Sequence, residues 1–204
     1  MQGDISVRVI AGTAKGRLLK AVPGIGTRPT TDKVKEAIFS MIGPYFDGGL
    51  GLDLFAGTGG LGIEALSRGL DRVIFIDMEK TSIQVIEDNL KTLGFKDQAE
   101  VYRNEAQRAL QVLSKRGLKF DLIFLDPPYS MKQVDELLLQ MQQMDMIQDQ
   151  ATVLVEHDAK HVYPDEIGRF KVRKRTNYGE TAVAIYLYTD IIRTGGGLDG
   201  TEHS

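Results

Sequence analysis

The feature that most constrains this chain is an alternation running through its middle. Short apolar runs at Leu50–Phe55, Arg72–Ile76, Ala99–Tyr102, Phe120–Leu125 and Ala151–Glu156 are separated by stretches in which apolar residues recur at helical spacing. The helices are expected over Leu61–Arg68, Lys80–Leu93, Glu105–Lys115 and Val134–Met146, with Gly94 and Gly117 stopping the second and third. Strands that alternate with helices pair in parallel through right-handed crossovers, so the pattern predicts βαβ units around one sheet. The ending differs. Phe170–Arg175 and Thr181–Tyr188 flank the turn Asn177-Tyr178-Gly179-Glu180, which predicts an antiparallel pair closing a mostly parallel sheet.

Ahead of this alternation, Val7–Val22 reads as two short strands around Gly12–Gly16, and Pro23–Pro29 as a Gly/Pro-rich turn. Thr31 is placed to cap a helix over Asp32–Ile42 whose apolar face is Val34, Ile38, Phe39, Met41 and Ile42. The chain thus divides into an unstructured start (1–6), a hairpin-and-helix extension (7–45), a main domain (46–188) and a polar, Gly-rich tail expected to be disordered (189–204).

Composition removes several chemistries. There is no cysteine, which excludes disulfides, thiolate metal sites and any cysteine nucleophile. His157 and His161 stand four apart with no third ligand placed, so no metal is expected and both read as partly exposed side chains. No apolar run reaches the ~18–20 residues that span a bilayer, and the start lacks a secretory pattern, so a cytoplasmic protein is expected. A net charge of −3 argues against a general nucleic-acid binder. The distribution points the other way locally. Arg8, Lys15, Arg17, Lys20, Arg28, Lys33 and Lys35 face only Asp32 between Ile5 and Lys35, and a second basic cluster spans Arg169–Arg175. Two such segments on a mildly acidic body are candidates for a local phosphate-binding face.

The first two strands of the alternation carry a candidate ligand site. Gly57, Gly59 and Gly62 follow the first strand and open a helix, in the spacing G-x-G-x-x-G that lets backbone turn sharply and approach a ligand. The pattern alone also describes dinucleotide sites. Asp53, four residues before the first glycine, shifts the reading, because a carboxylate there suits an ammonium group better than a pyrophosphate. S-adenosylmethionine carries an ammonium and a sulfonium and no phosphate. Asp77 ends the next strand, where a carboxylate can take both hydroxyls of a ribose. Glu105 follows the third strand at the same edge.

Asp126-Pro127-Pro128-Tyr129 is the sharper signal. It stands at the carboxyl end of the fourth strand, and its two prolines fix φ and stiffen the loop. An exocyclic base amine is a poor nucleophile because its lone pair is delocalised into the ring. The Asp126 carboxylate and the Pro127 carbonyl can accept its two hydrogens, favour pyramidal nitrogen and stabilise the positive charge that develops. Tyr129 offers a flat face on which an extruded base can stack. Pyrimidine C5 methylation usually needs a cysteine and is excluded here. Amine methylation is not, and this reading leaves guanine N2 and adenine N6 open alike, in RNA or DNA.

These segments, together with Val9–Arg17, Arg28–Glu36 and Asp53–Gly69, resemble the RsmD family of bacterial 16S rRNA guanine-N2 methyltransferases, over about residues 7–188. The resemblance implies a class I methyltransferase fold: a Rossmann-like, seven-stranded, mostly parallel sheet with an antiparallel C-terminal pair and a small N-terminal β-hairpin. It implies S-adenosylmethionine as cofactor, and as partner 16S rRNA within the small ribosomal subunit or an assembly intermediate, acted on by a monomer. Carried over by position, Asp53, Phe55, Gly57 and Gly59 would line the methionine end of the cofactor. Asp77 and Met78 would lie at the ribose, Glu105 and Ala106 at the adenine, and Asp126, Pro127, Pro128 and Tyr129 at the target amine. Asp77 stands where the family more often has Glu, and Glu105 where it has Asp or Asn. Lys15, Arg17, Arg28, Lys33 and Lys35 become candidate contacts to rRNA phosphates. A local ion pair between Arg28 and Asp32 is the competing reading for that part.

Overall fold

A computed structural model of the chain describes residues 7–23, 32–128 and 133–190. Its front end is a two-stranded antiparallel hairpin, β1 (Val7–Arg8) and β2 (Leu18–Leu19), followed by α1 (Asp32–Ile42). Then come β3 (Leu50–Asp53), α2 (Gly60–Ser67), β4 (Arg72–Asp77), α3 (Lys80–Leu93), β5 (Ala99–Arg103), α4 (Ala106–Ser114), β6 (Phe120–Leu125) and α5 (Val134–Gln143). The chain ends with β7 (Ile147–Asp158), β8 (Glu166–Ile167), β9 (Phe170–Tyr178) and β10 (Thr181–Tyr188).

The main sheet has the order β5-β4-β3-β6-β7-β10-β9-β8. Strands β3 to β7 are mutually parallel, and β10, β9 and β8 add in antiparallel fashion. The expected seven strands are therefore eight among the described residues. The extra one is β8, two residues that fold back on Phe170 through Gly168 at φ 56° and bury Ile167. Two residues between turns carry no periodicity to read.

Both faces of the sheet are covered, which is why its central strands are almost uninterruptedly apolar. Residues of α4 and α5 pack on one face with Leu52, Ile74, Ile123, Val153 and Tyr186. The hairpin, α1, α2 and α3 pack on the other with Phe75, Phe124, Leu154 and Ile185. The N-terminal extension thus shares a core with the sheet. Phe39 of α1 lies 6.1 Å from the Phe124 ring and 6.2 Å from Phe46.

One boundary moved for a physical reason. The apolar Met144 and Met146 extend the helical pattern to Met146, yet α5 stops at Gln143. Asp145 adopts φ 54°, a left-handed conformation that Asp tolerates, and this reverses the chain. Met146 is then fully buried, and its carbonyl accepts from Phe120 N–H at 2.9 Å. Strand β7 accordingly starts at Ile147 rather than Ala151.

The topology decides where a ligand can sit. From β3 the chain winds one way to β4 and β5, then crosses back to β6 and β7 on the other side. The crevice of such a sheet opens at the carboxyl ends of the two strands flanking the reversal, here β3 and β6.

Candidate active site

Asp53 closes β3 at this crevice. It is 2% exposed, and its Oδ2 accepts one hydrogen bond, from Gly62 N–H at 3.1 Å. Burial pushes its carboxyl up to about 7; the Gly62 bond opposes this and the charge of Asp77 adds to it. Among the described residues this buried carboxylate has one hydrogen bond and no cation, so an ammonium placed beside it restores much of the solvation that burial removed.

The glycine turn separates two roles that its spacing merges. Gly57 and Gly59 have φ 55° and 78°, a region costly for other residues. A Cβ on Gly57 would meet nothing within 4 Å, so this part of the turn borders open space where a ligand can approach. A Cβ on Gly62 would stand 2.4 Å from the Phe75 ring, so this glycine serves the packing of α2 on β4. Asp77 braces the turn: its Oδ2 accepts from Gly57 N–H and its Oδ1 from Glu79 N–H, each at 2.8 Å. Each oxygen keeps a second lone pair for a ribose hydroxyl. Met78 is 59% exposed beside it, Phe55 is half-buried, and Glu105 is exposed at the start of α4. Ala106 buries its methyl in the core and leaves its N–H in the first turn of α4, where no intrahelical partner exists.

Asp126 follows β6. Register places Asp53 level with Phe124, so Asp126 extends past the end of β3 into the crevice. Burial first, and then the charges of Glu156 and Asp53, hold the Asp126 carboxyl well above the usual carboxylate range. Pro127 is buried and Pro128 exposed, while Tyr129 lies outside the described residues.

The basic segment is only partly as expected. Lys15 and Lys33 are exposed and line an open cleft between the hairpin and α1, with Arg8, Asp32, Glu36 and Ser40. Arg17 is exposed and donates to Thr92 O at 2.8 Å. Lys35 is a correction. It is 2% exposed, donates to Arg8 O at 2.6 Å and lies 3.7 Å from the fully buried Glu64, so it cannot reach a phosphate. Its position one helical step from Phe39 and Ile38 turns it into the core. Arg28, and with it the Arg28–Asp32 ion pair, lies outside the described residues; Asp32 pairs with Arg8. In the second cluster, Arg169, Lys171 and Arg175 pair with Asp190, Glu166 and Asp165. Of the two histidines, His161 is partly exposed as expected and His157 is not. His157 sits in β7, 6% exposed, edge-on to Tyr163 at 5.2 Å. No group of three metal-ligating side chains occurs among the described residues.

Three polar residues contribute more than sequence reasoning assigned them. Asn89, 2% exposed, donates to Thr58 O at 3.1 Å and Lys20 O at 3.2 Å and accepts from Lys20 N–H at 2.8 Å, tying α3 and β2 to the glycine turn. Glu64 accepts from Ile10 N–H, Ala11 N–H and Arg68 Nε, tying the hairpin to α2. Glu156 lies two residues before the end of β7, one step past the Leu125–Val155 pair and so next to Asp126. The signal for Asn89 was a polar residue on the apolar stripe of Val85, Ile86 and Leu90; for Glu156 it was an acid ending a strand.

An open parallel sheet with a glycine turn, paired carboxylates at its switch point, a stiff Asp-Pro-Pro loop and antiparallel closing strands defines a class I methyltransferase. Comparison with known proteins agrees. The solved structure described as "Putative methyltransferase yhhF from Escherichia coli" superposes with a TM-score of 0.76 at 30% identity, over 90% of this chain and 98% of that one. The chain belongs to the RsmD family: the family model described as "Conserved hypothetical protein 95" matches residues 7–187. Among relatives, "Putative rRNA methyltransferase YlbH" of Bacillus subtilis is 53% identical over 180 residues, covering 88% of this chain and 98% of that protein. "Ribosomal RNA small subunit methyltransferase D" of Escherichia coli is 30% identical over 184 residues, covering 90% and 91%.

Proposed function

We propose that this protein transfers a methyl group from S-adenosylmethionine to the exocyclic N2 amine of a guanine in 16S rRNA of the small ribosomal subunit. The observation that carries the reading is the convergence of Asp53 and the Asp126-Pro127 loop on one crevice beside the open face of Gly57. When bound, the cofactor supplies an electrophilic methyl group on a sulfonium. The residues fit it: Asp53 offers the uncompensated carboxylate for its ammonium, the glycine turn the close approach, and Asp77 the spare lone pairs for its ribose.

Asp126 and the Pro127 carbonyl accept the hydrogens of the target amine and hold its lone pair toward the methyl group, so that much of the rate comes from alignment. The raised proton affinity of Asp126 has a use in this scheme. The nitrogen sheds a proton once it carries the methyl group, and a carboxylate with raised pKa is a better acceptor for it. Lys15, Arg17 and Lys33, together with Arg28, hold rRNA phosphates. The working partner is the small subunit or an assembly intermediate, and the enzyme acts as a monomer in the cytoplasm.

The test uses tritiated S-adenosylmethionine with small subunits lacking the endogenous modification, beside naked 16S rRNA and DNA. Label recovered as N2-methylguanosine from subunits is the expected result. Label recovered as N6-methyladenosine would overturn the proposal while keeping the amine chemistry.

A further inference from the structure

The Watson–Crick edge of guanine carries a second donor beside the N2 amine: the ring N1–H. Once the base leaves its pairing partner, a site that accepts only from N2 strands that donor. Strand register supplies another acceptor. Leu125 of β6 is level with Val155 of β7, so the next residues, Asp126 and Glu156, stand side by side at the carboxyl edge, about one strand spacing (~4.8 Å) apart. Glu156 pairs with Val183 of β10, which packs in the core on the α1–α3 face, so the Glu156 side chain projects from that face, opposite to Val155.

Glu156 is 8% exposed, and its charge is felt by Asp126. Two carboxylates side by side at a largely buried edge form an acceptor pair that a base edge presenting two adjacent donors matches. Asp126 already faces the position of the amine.

We infer that Glu156 accepts the N1–H of the target guanine and makes the site selective for guanine over adenine. This rests on the N2-guanine reading above. Adenine presents a lone pair at N1, which a carboxylate repels; guanine presents a proton there, which it binds. The pair Asp126–Glu156 therefore reads donor–donor, and a base with a donor amine beside an N1 acceptor is rejected even though its amine could be methylated. Glu156 is thus a specificity-determining residue, whereas Asp126 and Pro127 handle the reacting amine.

The test compares guanine with 2,6-diaminopurine at the target position of RNA assembled into small subunits. Diaminopurine keeps the N2 amine and replaces N1–H by a lone pair. The wild type should strongly prefer guanine. Glu156→Gln, whose amide can donate to N1 of diaminopurine and offers only a neutral oxygen to guanine N1–H, should lower kcat/KM for guanine by about 10-fold, the difference between a charge-assisted and a neutral bond. It should raise kcat/KM for diaminopurine, so that the preference collapses or inverts. S-adenosylhomocysteine affinity should stay within about twofold, which reports an intact fold. A Glu156→Gln protein that loses both substrates by the same factor, or neither, overturns the inference and leaves N2-guanine methylation standing. A wild type that labels no guanine overturns the function itself and this inference with it.

Discussion

Asp53→Asn should make the free protein more stable and unable to hold its cofactor. The Asp53 carboxyl is 2% exposed and raised from 3.8 to about 7. A carboxyl whose folded pKa exceeds its unfolded one imposes no penalty below the unfolded value. The penalty grows as pH rises through 3.8 and levels off above about 7. The gap corresponds to roughly 4 kcal/mol at pH 8, read as an upper figure. Asparagine keeps an oxygen for the Gly62 N–H and removes the charge. At ~2–4 °C per kcal/mol for a chain of this size, the variant should melt up to about 16 °C above the wild type at pH 8. The difference should shrink steadily toward pH 4. Thermal unfolding followed by circular dichroism from pH 4 to 9 measures it. Calorimetry of S-adenosylhomocysteine binding supplies the other half: the wild type should release a proton on binding below pH 7 and lose affinity as pH falls, and Asp53→Asn should bind at least ~100-fold more weakly at pH 8. A variant no more stable at pH 8 than at pH 4 relative to wild type would refute the reasoning, because the charge would then already be compensated in the free protein.

Three further outcomes follow from the geometry around the turn and the extension. Asn89→Asp keeps the acceptor for Lys20 N–H but sets a carboxylate against the Thr58 and Lys20 carbonyls, so S-adenosylhomocysteine affinity should fall about tenfold or more, measured by calorimetry at a temperature where circular dichroism shows the variant folded. Lys15→Ala with Arg17→Ala should weaken subunit binding and flatten its salt dependence, with cofactor affinity unchanged. Lys35→Ala should instead cost about 2–4 kcal/mol of stability in urea titrations, since it strips one cation from the buried Glu64.

The legible part of this protein was whatever depends on neighbours along the chain. Helix α3 runs Lys80–Leu93 and stops at Gly94 as its periodicity and stop signal require, and β6 ends at Leu125 before a double proline that no strand interior admits. Asp53 and Asp77 each close a strand of a parallel sheet and Asp126 directly follows one, so one rule about carboxyl edges brings them together. The Lys35 side chain escaped that logic. In sequence it is one more cation in a basic run; in the fold it is a buried partner of Glu64, because α1 packs on α2 and the local charge count says nothing about which face turns inward.

The chain alone therefore determined the order of elements and the chemistry available at each strand end, since both follow from local periodicity and residue type. Tertiary structure decided which of those groups meet. Glu156 is 30 residues from Asp126 in the chain and one strand away in the sheet. Asn89 reaches Thr58 across 31 residues. Gly57 borders open space while Gly62 is filled by Phe75, although the two are equivalent in the glycine pattern. Burial adds the last distinction: it raises Asp53 to about 7, a property of the crevice rather than of the residue.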